Sequence, residues 1–380
     1  MNLYHTGDVS ATGEVLPAVG IEKCLRTAAD LIHWKDGSWR RRVMPDGKVR
    51  AKGIACGIKL TGTPSTSSVV LKFNDDASVQ ILQSGMELGQ GVNTVIPQFV
   101  AERLGIPYEN VSVTPVDTMF TPYEKTTTGS RLTFHVGNGA VKGADDVIDQ
   151  LRGLAAINWH VSKEQVTFDA GVLCGPGGQR LALRDIGKTS LMKEQEPVLG
   201  RGLYTTSDIW DKPDPATHAS KKPTAQWFWA AHACEVEVDP KTGKIKILDY
   251  AAAQDVGMAI NTMTCTQQVE GGVVMGMSHC LLEGLIYDDQ GHLLNGNMVD
   301  FKVATAKDTD FNIKVALVEN PVDDNPYGAR GIGEPPVVPP AAAISAAVSR
   351  ACGVRLKSIP LKSDEVLSAI RHAENREEDV

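Results

Sequence analysis

Two apolar runs around one short turn constrain the fold of this chain most. Residues 227–239 read WFWAAHACEVEVD, residues 240–243 read PKTG, and residues 244–257 read KIKILDYAAAQDVG. Aromatic and β-branched runs on either side of a Pro/Gly break predict two long strands around a turn. The texture recurs at 67–84, where SSVVLKF, the polar break NDDA and SVQILQS predict a hairpin, and VSVTPVD (111–117) and FNIKVALVEN (311–320) read as further strands. Helical spacing marks VNTVIPQFVAERLG (92–105, despite Pro97), a second helix around 137–158, the glycine-containing apolar stretch 264–287, and PAAAISAAVSRACG (340–353). A last helix near 364–373 runs into the solvated tail ENREEDV. The glycines of 264–287 predict close helix packing or close approach to a ligand.

This alternation predicts a mixed α/β chain in two related layers, without a sequence repeat. Residues 1–50 read as an N-terminal arm, 51–160 as a first α/β subdomain, 161–224 as an irregular, Gly-, Pro- and Lys-rich surface excursion, and 225–380 as a second α/β subdomain. A chain of 380 residues with 42% apolar and 22% charged residues is an ordinary globular balance. The net charge of −8 argues against nucleic acid or an anionic membrane as partner. There is no apolar run of about 20 residues and no signal-peptide pattern at the amino terminus, so the expected location is cytoplasmic. Seven cysteines are scattered without a C-x-x-C pair, and the nine histidines show no ligand spacing. That argues against a disulfide frame, and against an iron–sulfur or zinc site held by this chain's own side chains.

Three loops share one design: LGQG (88–91), TGSR (128–131) and TQQVEGG (266–272). Each combines small residues with a neutral donor–acceptor side chain just before a helix or within its first turns. Helix N-termini present unpaired amides and a positive dipole end, which suits phosphate and other oxyanions. Such loops are also common as plain turns and caps. G-x-G-x-x-G, G-x-x-x-x-G-K-[ST] and G-x-S-x-G are all absent, which sets aside the dinucleotide fingerprint, the P-loop and the simplest serine hydrolase. A fourth segment, GARGIGEPP (328–336), places Glu334 between glycines and two prolines, a stiff loop that can approach a ligand closely. From the residues alone, Glu334 is either a base beside an anion-binding pocket or a solvated loop acid.

As an ordered set, GMELGQGVNTVIPQFVAERLGIP, DT…P…TTTGSRLT, DVGMAIN…QQVEGGVVMGM, LLNGNMVDFKVATAKD and GARGIGEPPVVPPAAAISAAV resemble the molybdenum-cofactor subunit of the xanthine dehydrogenase and aldehyde oxidase family. They cover most of 50–360. The resemblance implies an α+β molybdenum-cofactor-binding fold, with mixed sheets and packed helices. It implies molybdopterin, as the plain pterin or a cytosine dinucleotide, with molybdenum held by the pterin dithiolene rather than by side chains. It implies cofactor contacts from Gly89, Gln90, Gly129, Ser130 and Gln268. Glu334 matches the catalytic glutamate, the general base towards a Mo–OH group whose oxygen attacks an electron-poor carbon.

The implied activity is a molybdenum hydroxylase or dehydrogenase acting on an N-heteroaromatic or aldehyde-like small molecule, with a 2Fe–2S subunit and a FAD subunit carrying electrons away. Family subunits are about twice this length, and the G-G-G-F-G-G and F-R-G-x-G motifs of their first half are missing here. The chain therefore reads as the carboxy-terminal half of a split subunit, as in nicotinate dehydrogenase-type enzymes, with a companion chain supplying the other half. Met1 suits a natural start, and a shortened piece of a longer chain is the alternative. An aromatic-thioester reductase of the hydroxybenzoyl-CoA type and a non-catalytic cofactor-binding or maturation protein remain open as well. Two departures from the family pattern, Gln267 and Thr262-Met263, fall beside Gln268.

Overall fold

The computed structural model of the chain describes residues 2–188 and 197–378. It divides into two compact units, the first built from residues 1–59, 227–320 and 332–380, the second from 60–226 and 321–331.

The first unit is organised by a five-stranded sheet in the order Arg42–Val43, Val49–Leu60, Trp227–Val238, Ile245–Gly257, Asn312–Glu319. The two long strands pair antiparallel from Ala230 opposite Gln254 to Val238 opposite Ile245, with an irregularity after Glu235. Their near-continuous apolar character follows from burial on both faces. Helix Ile21–Leu31 covers one face, where Cys24, Ala28 and Ile32 meet Ala231, Ala233, Ala251 and Ala253. On the other face, Cys234, Val236 and Tyr250 pack with Val269, Val273 and Met277 of helix Thr262–Leu281 and with Ala343 and Ala347 of helix Pro340–Cys352. Strand Asn312–Glu319 runs parallel to Ile245–Gly257, and helix Thr262–Leu281 lies in the crossover such a pair requires.

The glycines of that helix resolve the choice the sequence left open, and in both directions. A Cβ on Gly272 would sit 2.5 Å from Pro336 Cβ, and one on Gly276 would sit 2.7 Å from Pro340 Cβ, so both are packing glycines. At Gly271 a Cβ would meet nothing within 4 Å, which leaves open backbone on the same helix. Met277 is core, whereas Met275 on the same helix is 63% exposed. The helix begins at Thr262 because Asn261 caps it, its side-chain oxygen accepting from Thr264 N at 3.1 Å.

The second unit holds a four-stranded sheet in the order Val111–Val113, Val79–Leu82, Thr66–Phe73, Val198–Thr205, and a small sheet of Thr167–Asp169, Val172–Cys174 and Arg180–Ala182. The expected hairpin pairs Val70 with Leu82 through Phe73 with Val79. Strand Val198–Thr205 corrects the reading of 161–224 as irregular: it pairs with Thr66–Phe73 along its whole length. Its sequence, VLGRGLYT, hides the strand behind two glycines. A Cβ on Gly200 or Gly202 would lie 2.2 or 1.8 Å from the carbonyl oxygen of Gly143 or Gly139, on helix Leu132–Trp159. Four glycines thus let a helix press backbone to backbone on a strand. The helix itself starts five residues before the 137 expected, at Leu132.

Candidate functional site

The residues singled out from the sequence fall into two groups, one in each unit. In the second unit, Gly89 and Gln90 belong to a loop that ends at helix Val92–Leu104. Gly89 and Gly91 have φ of 105° and 86°, values that favour glycine. The loop is folded around an acid the sequence reading passed over. Glu87 Oε1 accepts from Gly89 N and Gly91 N at 2.9 Å each, and its Oε2 accepts from Asn93 N at 3.0 Å. Burial alone would raise the Glu87 pKa, but the backbone donors of Asn93, Gly91, Gly89 and Gln90 outweigh it and hold the carboxyl below its ordinary 4.5.

At that helix start the chain itself supplies an anion, the Glu87 carboxylate, to the backbone amides of Gly91 and Asn93. Gln90 is likewise engaged locally. Its Oε1 accepts from Leu88 N at 2.6 Å and its Nε2 donates to Met86 O at 2.8 Å. Glu87→Gln removes the charge and should cost about 1 kcal/mol, the usual worth of a side-chain helix cap. Because the folded pKa is depressed, the wild-type contribution is present above about pH 4.5 and lost as pH falls through the folded value. Amide exchange at Gly89, Gly91 and Asn93 measures both effects. Unchanged exchange in Glu87→Gln would contradict the assignment.

The second loop places Gly129 at φ 65° and Ser130 at φ 56°, consecutive left-handed residues just before helix Leu132–Trp159. Thr61 Oγ1 donates to Gly129 O at 2.8 Å, and a Cβ on Gly331 would fall 1.8 Å from Ser130 O. Arg131, which follows Ser130 in the TGSR loop, is neither exposed nor free. It is buried and ion-paired with buried Glu124, and it also donates to Thr126 O and Ser67 Oγ, both at 2.8 Å. Beside it, His135 is pushed down to about 3, by burial first and then by the Arg131 charge. A cavity of about 750 Å³ beside Gly105, Gly171 and Arg184 is lined by none of these residues.

In the first unit, Gln268 lies in the second turn of helix Thr262–Leu281, and its Nε2 donates to Gly333 O at 2.6 Å. The amide therefore grips the residue preceding Glu334. Pro335 and Pro336 are buried in a short 3₁₀ turn, and Gly272 admits Pro336 against the helix. Glu334 emerges from this fixed turn with its side chain 41% exposed, and Lys59 Nζ lies 2.5 Å from its Oε2. Lys59 was not legible as a site residue, since IKL is an ordinary strand-end pattern.

The remaining singled-out residues are structural. Trp227 and Trp229 donate to Glu14 Oε2 and Ala18 O, which ties the first residues of the chain to the sheet. Cys280 is buried, and Cys265 is partly exposed. In the basic turn, read as a solvated face, Arg42 pairs with Glu235 and Arg41 donates to Ala351 O.

In the second unit Gly89 leaves open backbone beside the neutral groups of Gln90 and Ser130, and in the first Gly271 leaves open backbone on the helix that carries Gln268; each set offers the uncharged hydrogen-bonding groups a polar organic cofactor uses. Among the described residues no group of three or more His, Cys, Asp or Glu is placed to hold a metal ion, and no helix is long and apolar enough to cross a membrane.

A family model described as a molybdopterin cofactor-binding domain matches residues 27–310, and the chain belongs to that family. Along nearly its whole length it is similar to molybdenum-binding subunits. It is 26% identical over 376 residues to the xanthine dehydrogenase molybdenum-binding subunit of Escherichia coli O157:H7, covering 95% of this chain and 47% of that one. It is 26% identical over 346 residues to the 6-hydroxypseudooxynicotine dehydrogenase complex subunit gamma of Paenarthrobacter nicotinovorans, covering 90% and 42%. The chain thus spans about half the length of the curated relatives it matches. Its fold is that of quinoline 2-oxidoreductase from Pseudomonas putida 86, with a TM-score of 0.81 at 21% identity over 94% of this chain and 47% of that one. The α+β class with mixed sheets and packed helices is as the motifs predict.

Proposed function

We propose that this chain is the carboxy-terminal half of the molybdenum-binding part of a hydroxylase or dehydrogenase. In this reading the complex oxidises an electron-poor carbon of an N-heteroaromatic or aldehyde-like substrate. The observation that carries it is the construction around Glu334: one carboxylate presented from a turn that two buried prolines, the Gln268 amide and the close fit of Gly272 hold in place. A solvated loop acid needs none of these. The similarity to subunits named for xanthine and 6-hydroxypseudooxynicotine dehydrogenation supports the reaction class.

Molybdopterin, when bound, supplies the metal centre that activates a water-derived oxygen and takes up two electrons. Gly89, Gln90, Gly129 and Ser130 of the second unit and Gln268 of the first are the residues that would hold it. Overall, R–H and water give R–OH, two protons and two electrons. Glu334 accepts one of those protons at a carboxylate oxygen, which requires an ionised acid within about 2.6–3.2 Å of the donor. Gln90 and Gln268 each already bond within the chain, so their roles include shaping their own loops.

The other half comes from a companion chain, and 2Fe–2S and FAD subunits pass the electrons on; the complex is cytoplasmic, and its cofactor is the plain pterin or its cytosine dinucleotide. Turnover of N-heteroaromatics and aldehydes with an oxidised dye acceptor tests the proposal. Activity only in the opposite sense, reduction of an aromatic thioester by a low-potential donor, would replace it.

A further inference from the structure

We propose that Lys59 is the positioning residue for Glu334, holding the carboxylate oriented; this rests on reading Glu334 as the base. Lys59 is the penultimate residue of strand Val49–Leu60, next in the sheet to strand Trp227–Val238. Its ammonium lies 2.5 Å from Glu334 Oε2 and 5.6 Å from the centre of the Phe228 ring. Phe228 is completely buried, so the ring is a fixed platform. A lysine at a strand end ordinarily extends into water, and its exposed ion pairs are worth little. Here the side chain is only 23% exposed, and the ring face favours the cation where it stands.

Three sides of the acid are then defined. The prolines fix its backbone, Gln268 fixes the residue before it, and Lys59 fixes the carboxylate itself. A base on a loop contributes only when its oxygen is aimed, and a displacement of about 1 Å costs on the order of 100-fold in rate. Lys59 is not a proton donor or acceptor in this scheme. It acts through Glu334, so its loss should lower kcat rather than weaken substrate binding.

The pairing is tested directly on the full-length chain with a water-soluble carbodiimide, which joins only amines and carboxylates already in contact. Peptide mass spectrometry should find a Lys59–Glu334 isopeptide bond, and its absence would overturn the pairing. In the assembled, metal-loaded complex, Lys59→Met should lower kcat by about 10- to 100-fold with KM within about twofold of wild type. Molybdenum content should stay unchanged, and Lys59→Arg should recover most of the loss. Wild-type turnover in Lys59→Met beside an inactive Glu334→Gln would sink the Lys59 proposal and leave the base standing. Lost molybdenum in Lys59→Met, or no recovery by arginine, would also overturn it, by making the residue a cofactor contact or a fold element. Should Lys59→Met fail to accumulate, Lys59→Gln serves the same comparison. Normal turnover in Glu334→Gln would remove the base reading and the Lys59 proposal with it, whatever the cross-link shows.

Discussion

Glu334→Gln in the assembled, metal-loaded complex should lower turnover by about 10²- to 10⁴-fold, the usual contribution of a positioned general base. Glutamine keeps the size and planarity of the side chain, and the prolines and the Gln268–Gly333 bond that fix the turn are untouched. It cannot accept a proton at neutral pH, so the loss falls on kcat with little change in substrate affinity. Molybdenum content should equal that of wild type, because the cofactor contacts assigned here lie on other residues. The kinetics of purified wild-type and variant complexes, with metal measured on the same samples, decide it. A variant that turns over normally would return Glu334 to being an acid on a stiff turn.

Arg131→Met should be the most destabilising single change in the second unit. The Arg131 and Glu124 side chains are 1% and 2% exposed and ion-paired, and Arg131 also bonds Thr66 O and Ser67 Oγ on strand Thr66–Phe73. Removing one partner leaves a buried charge uncompensated, which costs about 3–5 kcal/mol. For a unit of this size that is a fall of roughly 6–20 °C in Tm. The double change Arg131→Met with Glu124→Leu removes both charges and should recover much of the loss, since Arg131 Nε and Glu124 Oε2 are buried without hydrogen-bond partners as it is. Arg131 follows Ser130 directly, so the single variant should also loosen the left-handed turn at 129–130. Calorimetry of the two variants beside wild type separates these outcomes, and an Arg131→Met protein as stable as wild type would contradict them.

Much of the fold was legible because its signals are local. The long strands at 227–257, the hairpin at 67–84 and the helix at 340–353 each carry their own periodicity or punctuation, and the structure forms them. What was missed depends on contacts distant in sequence. Strand Val198–Thr205 looks broken by Gly200 and Gly202 until helix Leu132–Trp159 is laid on it with Gly139 and Gly143. The role of Arg131 depends likewise on Glu124, which the fold places against it.

The site was legible in the same uneven way. Glu334, Gln90, Gly129 and Gln268 stand out because small and rigid residues around a lone polar group are unusual. The devices that hold them do not: Glu87 is one acid before a glycine loop, Lys59 one lysine at a strand end, and Thr61 one hydroxyl. An acid four residues ahead of a glycine N-cap is a readable signal for Glu87. Nothing in the sequence near Lys59 announces Glu334, which lies 66 positions from Gln268 and 275 from Lys59.

The central claim is that this chain holds half of a molybdenum–pterin site and needs a companion for the rest. Purifying the native complex through a tag on this chain, identifying every co-purifying polypeptide and measuring molybdenum per complex tests it most directly. The account predicts near-stoichiometric molybdenum together with a companion chain that carries the missing F-R-G-x-G motif. A chain that purifies alone, without metal or pterin, would contradict it.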